Sequence, residues 1–480
     1  MDSIENNGLK RGLKVRHVNM IAIGGAIGTG LFLATGGSLH EAGPGGALVA
    51  YGAIGIMVFF LMTSLGEMST YMPVTGSFET YATKFVDPSF GFALGWNYWY
   101  NWAITVAAEL EAGVLIIKFW MPEANPLLWS GIFLAILFCL NYFAVGTFGE
   151  SEFWFAGIKV VTIVVFLILG VLMIFGIMGG TAPGFHNWTV EDAPFAGGFA
   201  SILSIFMIAG FSFQGTELIG VASGEMKNPE KMIPKAIRTV FFRIILFYIG
   251  AIVIIGFLLP YNDPALLHSG DVATSPFTLI FYRAGIAAAA SIMNAVILTS
   301  VLSCGNSGMY ASTRMLYSMA MEKKAPKLFG KVNKRGVPIN ALILTTAVGM
   351  LAFLGSLIGA GTVYLWLVNA SGVAGFIAWI GIALSHYKFR KAYIAQGHSL
   401  DELKFKAYLY PFGPLLAFAM CLIIVFGQFY ANADFTLLGF VVAYIGAFLF
   451  ILLFLIHKIV KKTKSVKATE ADLSQGFAKE

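Results

Sequence analysis

Charge is what this chain of 480 residues has least of: only 12% of them are Asp, Glu, Lys or Arg. Soluble domains carry about 25%. With 58% hydrophobic residues beside that shortage, an ordinary soluble fold is excluded and a polytopic membrane protein is indicated. Cysteine is scarce too. Cys139, Cys304 and Cys421 all fall inside apolar runs, which argues against a disulfide framework and leaves the redox compartment unread. The seven histidines stand in loops or at the ends of apolar runs, with no carboxylates at metal-ligand spacing. No metal site is expected, and no nucleophile–base pair argues for an enzyme. Between the polar tails 1–9 and 461–480 there is no linker or low-complexity stretch large enough for a soluble domain. The polar start leads straight into the first apolar run, so no cleavable signal peptide is expected.

Apolar runs are what the chain has in abundance. Twelve predicted spans cover 18–37, 47–71, 90–120, 127–145, 153–178, 199–223, 241–260, 279–319, 340–357, 363–385, 412–429 and 435–457. Most reach the roughly 20 residues that cross a bilayer. The net charge of +6 is placed rather than spread: nearly all of the 31 lysines and arginines lie in the two tails and in the loops after even-numbered spans. Both termini are therefore predicted cytoplasmic. The basic charge orients the protein in a membrane and does not call for nucleic acid.

The segment IAIGGAIGTGLF, residues 21–32, puts Gly24, Gly25, Gly28 and Gly30 inside the first span. Glycine costs about 1 kcal/mol relative to alanine in a helix interior, and broken backbone in a membrane is tolerated only inside protein or along a cavity. A second interrupted span follows at 209–220, AGFSFQGTELIG. Two such spans at corresponding positions in two halves point to a transporter's binding site. A break after Ala26 and Ile27 leaves carbonyls that suit an ammonium. The helix restarting at Gly28, Thr29 and Gly30 offers amides that suit a carboxylate. One discontinuity can thus hold both poles of an α-amino acid. The alternative is that the glycines serve only close helix packing.

Other spans supply candidate polar groups. In span 3, Tyr98, Trp102, Thr105 and Glu109 fall on one helical stripe, as a cavity wall would, while Glu111 points nearly the opposite way. Lys159 in span 5 is too deep to snorkel and has no carboxylate four residues away. It is read as a proton carrier or as half of a structural pair with a distant group. In span 6 the carbonyls of Phe211, Ser212 and Gln214 complete the predicted ammonium site, with Thr216 and Glu217 opening the second half. Glu217 is read as a partner for a cationic substrate side chain, as a neutral hydrogen-bonding group or as a proton carrier. Glu67 and Glu225, near the cytoplasmic ends of spans 2 and 6, are candidates for an inner gate. A capped or snorkelling glutamate is the other reading of Glu67.

With these residues placed, the chain resembles the bacterial amino acid transporter family of the amino acid–polyamine–organocation superfamily. IGGAIGTGLF, GWNYWYNW, FSFQGTELIG, GEMKNPEKMIPKAI and GNSGMYASTRMLY carry the likeness over nearly the full length. The resemblance implies an all-α membrane protein of twelve transmembrane helices in a 5+5 inverted repeat, with helices 1 and 6 discontinuous. Its parts would be an N-tail 1–17, a first repeat 18–178, a second repeat 179–385, two further spans in 386–460 and a C-tail 461–480. It further implies that the substrate carboxylate meets the amides of Thr29 and Gly30. The α-amino group would meet carbonyls around Ala26, Phe211 and Gln214, with Phe211 as an aromatic gate. Lys159 would stand where proton-coupled relatives use a lysine in place of a sodium ion. Proton-coupled uptake by alternating access at the bacterial cytoplasmic membrane follows, with protons as the coupling ion and no cofactor. GWNYWYNW, NWTVEDAPFAGGF and NASGVAGFIAWIGIALSHY incline the substrate to L-lysine. Arginine, histidine or an aromatic amino acid is the rival choice, and a receptor that binds without transport is the rival class. Partners would be the substrate and the bilayer, in a monomer or homodimer.

Overall fold

Backbone N–H and C=O groups cannot stay unpaired in a bilayer, so apolar runs of this length fold as helices. The computed structural model describes residues 12–24, 27–143, 145–178, 180, 182–267, 275–431 and 437–474. Among these residues it contains helices and turns and no β-strand, apart from one bridge between Leu13 and Met226.

In chain order the first helices are α1 (Val15–Gly24), α2 (Thr29–Phe32), α3 (Ala34–Tyr71), α4 (Phe78–Phe85), α5 (Pro88–Ile117), α6 (Pro126–Tyr142) and α7 (Val145–Ile174). There follow α8 (Gly198–Ser204), α9 (Phe206–Phe213), α10 (Leu218–Ala222), α11 (Pro229–Arg243), α12 (Gly250–Leu258), α13 (Pro264–Leu267) and α14 (Pro276–Arg283). The last are α15 (Ala287–Met321), α16 (Ile339–Gly349), α17 (Gly355–Ile358), α18 (Ala360–Ala395), α19 (Phe412–Ala431) and α20 (Leu437–Lys461). Among the described residues nine helical stretches are long and apolar enough to cross a membrane, and Pro126–Tyr142 and Phe412–Gln428 are shorter apolar helices. The chain is a multi-pass membrane protein.

Several boundaries move from their predicted places. Residues 38–46 fall between the predicted spans 18–37 and 47–71, yet helix resumes at once on both sides of Gly43 (φ 71°, ψ 171°). At 1.5 Å per residue, the 38 residues of α3 measure about 57 Å. A hydrocarbon core is about 30 Å thick, so the bend at Gly43 divides α3 into the end of one crossing and the whole of the next. The predicted span 279–319 is likewise two helices, α14 and α15, separated at Gly285. The basic stretch before 241 is helical as well: α11 runs through a π-helical segment, Ile244–Ile249, into α12.

Helix starts follow local chemistry. Asp87 accepts a hydrogen bond from the Ser89 amide and precedes Pro88, while Asn125 does the same for Leu127 ahead of Pro126. The centre of the bundle is α5, whose apolar stretch is 94% buried, packed against α15 and α18. At the rim, α20 has 11% of its stretch buried and turns the rest outward. That contrast puts the functional residues of α5 inside.

Candidate functional site: two interrupted helices around a central cavity

Two helices stop and restart near the middle of the bundle. Of the first, helix is described to Gly24 and again from Thr29, with Gly28 extended at φ −136°, ψ −143°. Leu33 stays in the right-handed helical region, so α2 runs on into α3. The second stops at Phe213, passes through Gln214 (φ −58°, ψ 146°) and restarts at Leu218. Gly215 sits at φ +91°, a conformation that side chains rarely tolerate.

The restart of the first touches the end of the helix that leads into the second break. A Cβ on Gly30 would lie 2.4 Å from the Ser212 Cα, so only glycine allows the approach. The Ser212 hydroxyl donates to the Gly30 carbonyl oxygen at 2.7 Å and meets the Tyr51 hydroxyl at 3.2 Å. The Tyr248 hydroxyl donates to the Ser212 carbonyl at 2.6 Å, and Arg243 donates to Tyr248 at 3.0 Å.

A cavity of about 10 Å³ lies at this junction, room for about one water. Gly28, Gly30, Trp102, Thr105, Glu109, Phe211, Ser212, Gln214 and Cys304 line it. Eight of these nine residues were expected from sequence; Cys304 was not. The Thr29 hydroxyl donates to Glu109 Oε1 at 3.1 Å, while Glu109 Oε2 has no hydrogen-bond partner among the described residues. Thr105 donates to its own helix, at the Asn101 carbonyl, 2.8 Å away. Gln214 donates to the Gly372 carbonyl at 3.2 Å.

Other expected residues stand off the cavity. Ile27 is fully buried and does not line it. Ala26 lies outside the described residues. Thr216 turns its hydroxyl back to the Phe213 carbonyl at 3.0 Å. Glu217, read from sequence as a partner for a cationic substrate side chain, a neutral hydrogen-bonding group or a proton carrier, does not line the cavity. Its carboxylate accepts from the Gly215 amide at 3.2 and 3.0 Å, from Tyr98 at 3.2 Å and from Trp379 Nε1 at 3.2 Å. Those donors surround both oxygens, so Glu217 with Tyr98 ties down the second interruption. The reason is local: the unwound Gly215 amide needs an acceptor, and the carboxylate two residues on is within reach.

Lys159 on α7 is fully buried, and its electrostatic neighbours include Glu152, Cys304, Glu109 and Arg243. Glu152 escaped the sequence reading, which looked only four residues either way. It lies seven residues earlier, two turns along the same face. Its carboxylate accepts from Ser303 and Asn306 at 2.9 Å each, and Asn306 accepts from Asn141 at 2.8 Å. Glu111, on the other face of α5, receives Ser130 of α6 at 3.3 Å.

The two gate candidates form buried ion pairs at one end of the bundle. Glu67 is bound bidentately by Arg390 at 2.8 and 2.6 Å, faces His386 at 3.1 Å and accepts the Ala407 amide. Glu225 receives Arg314 at 3.0 Å and Tyr310 at 2.9 Å, and its backbone carbonyl accepts the Leu13 amide. Removing one partner of such a pair strands a buried charge and costs about 3–5 kcal/mol.

Comparison with known proteins agrees with this geometry. The Amino acid permease family matches residues 17–469. The chain is 54% identical to the lysine-specific permease LysP of Escherichia coli (strain K12), over 99% of this chain and 98% of that protein. It is 52% identical to LysP of Lactococcus lactis subsp. cremoris (strain MG1363), over 97% and 93% of the two chains. The histidine permease HisP of the same Lactococcus strain is 49% identical, over 98% and 99%.

Proposed function

The chain belongs to the amino acid permease family, and from that premise we propose that it imports L-lysine with protons across the bacterial cytoplasmic membrane. In this reading twelve spans form a 5+5 inverted repeat with both termini cytoplasmic, and the two interruptions are its first and sixth crossings. The contact of Gly30 with Ser212 carries the proposal, because it joins both interruptions at one cavity. A receptor without transport needs no such paired discontinuity.

The substrate carboxylate meets the amides of Thr29 and Gly30, and the α-ammonium meets the carbonyls of Ile27 and Phe211, the latter already accepting the Gln214 amide at 3.1 Å. Glu109 turns an unpartnered carboxylate oxygen to this site and is the acid placed to answer a second ammonium. Glu217 holds the platform beneath. The cavity as described is too small for an amino acid, so binding requires the two interruptions to part. Lys159, between Glu109 and Glu152 in charge environment, exchanges the coupling proton. The ion pairs of Glu67 and Glu225 hold the inner end closed until it opens.

Lysine is favoured by the two LysP relatives, and histidine is the second reading because HisP is nearly as similar. Uptake of radiolabelled L-lysine into proteoliposomes, with an imposed pH gradient and excess arginine, histidine or phenylalanine, tests all three parts. Accumulation that follows the gradient and resists the competitors is expected. Stronger competition by histidine than by unlabelled lysine would move the substrate, and uptake indifferent to the gradient would remove the proton. With Lys159→Ala, binding is expected to persist while the gradient loses its effect.

A further inference from the structure

A second cavity, about 270 Å³, opens where α3 and α18 end and α11 begins. It shares no lining residue with the central one. Tyr51, at the central junction, and Glu67, on this second wall, are sixteen residues apart on α3, about 24 Å along the helix.

Its lining is polar, aromatic and oppositely charged in parts. Thr70 is 5% exposed and lies on the wall, and its hydroxyl has no hydrogen-bond partner among the described residues. Glu67 beside it is saturated by Arg390, His386 and the Ala407 amide. The rings of Tyr71 and Tyr393 meet edge-on at 5.6 Å. Toward solvent stand Glu402, which accepts the Tyr393 hydroxyl at 3.2 Å, and Glu230, paired with Lys404. With Glu67 neutralised by Arg390, and with His398, also on this wall and 3.6 Å from Glu402, adding charge only when protonated, the remaining fixed charges are two carboxylates against one ammonium. The site therefore lacks one positive charge.

An amino acid with a basic side chain carries two ammonium groups and one carboxylate, the complement of that set. We propose that this cavity is a second binding site for a basic α-amino acid. One ammonium lies against Glu402 and the ring of Tyr71, where a cation is favoured, with Tyr393 stacked on His398 beside it. The other meets Glu230, the carboxylate takes Lys404, and Thr70 supplies a hydroxyl at the inner end. The walls belong to three helix ends that must shift relative to one another during transport. A ligand bridging them reports the amino acid already delivered at this end. The identity of that amino acid rests on the transport reading above; the site itself rests on the cavity.

Equilibrium dialysis of radiolabelled L-lysine against the purified full chain is the test. Two equivalents per chain are expected in wild type. Glu402→Gln is expected to weaken the second about tenfold by removing a charge-assisted contact. Thr70→Val combined with Glu402→Gln is expected to leave one equivalent, with proteoliposome uptake retained as the measure of fold. A single equivalent in wild type, or two in the double variant, overturns the second site and leaves lysine transport standing. If lysine fails to bind but radiolabelled histidine binds twice and loses one equivalent in the double variant, the site stands and the substrate changes.

Discussion

At Gly28 the chain is out of the helix, and the polar ties described just after it come from other elements. Thr29 reaches Glu109 on α5, and the Gly30 carbonyl is held by Ser212. Between Phe213 and Leu218 the chain brings its own tie. Glu217 folds back onto the Gly215 amide and gathers Tyr98 and Trp379 around it, while Gln214 grips Gly372. A net hydrogen bond is worth about 1 kcal/mol, and more when one partner is charged. Swinging the second segment means giving up several such bonds around one buried carboxylate, whereas fewer are found on the first among the described residues. The difference assigns motion to the first interruption and makes the second the fixed platform against which it opens.

The comparison breaks most sharply at the contact between the two. Gly30→Ala sets a methyl 2.4 Å from the Ser212 Cα, a backbone atom that cannot step aside. Displacement on the 1 Å scale at a positioned site costs about a hundredfold, so initial lysine uptake in proteoliposomes is expected to fall by about that much. Wild-type uptake in this variant would show that the closed contact plays no part in the cycle. Glu217→Gln is the next test. It keeps the shape and removes the acceptor that faces the Gly215 amide and Trp379, at about 1–3 kcal/mol. A lower thermal midpoint and weaker lysine binding are expected together. Binding lost with the midpoint unchanged would instead return Glu217 to direct contact with the substrate. Thr29→Val removes the bond to Glu109 and the contact with Tyr364, at about 1 kcal/mol. Its midpoint is expected to fall less than that of Glu217→Gln, and equal falls would erase the asymmetry.

How far these segments were legible depended on whether the signal was local. Glycines at 24, 25, 28 and 30 announce an interruption because each weakens the helix it sits in. The stripe that carries Glu109 and turns Glu111 away follows from the period of a single helix, and the structure puts Glu109 on the cavity and Glu111 against Ser130. What failed was pairing between helices. Trp379 stands 162 residues from Glu217, and Arg390 stands 323 from Glu67. No periodicity within one helix says which other helix faces it. The partners of Glu217 are not legible in sequence either, because one of them, the Gly215 amide, is free to donate only once the backbone has unwound. Glu152 was a different failure: the signal was local, two turns from Lys159, and lay beyond the spacing searched. The bend at Gly43 falls between two predicted spans because proline and glycine ordinarily mark turns, while helix on both sides rejoins within one residue.

The smallest effect is expected far from both interruptions, and it sharpens the comparison by showing what an ordinary staple is worth. Asp87 caps α5 through the Ser89 amide and also meets Lys458 and Thr463, pinning the end of α20. Burial pushes its carboxyl up, but Lys458, the Ser89 amide and Thr463 together hold it below the ordinary aspartate value. A group lowered on folding stabilises above its unfolded value, about 3.9, and that contribution fades as pH falls through the folded one. Asp87→Asn keeps a good cap and loses only the charge, so the difference in thermal midpoint from wild type isolates the ion pair. With Lys458 about a third exposed, the pair is worth roughly 1 kcal/mol or less. The difference is expected to be steady through neutral pH and to close below about pH 3.9. A difference that widened as the pH fell would mean that the carboxyl is raised and that Lys458 does not hold it. Uptake of lysine at neutral pH is expected to be the same in both proteins, because this staple ties helix ends and touches neither interruption.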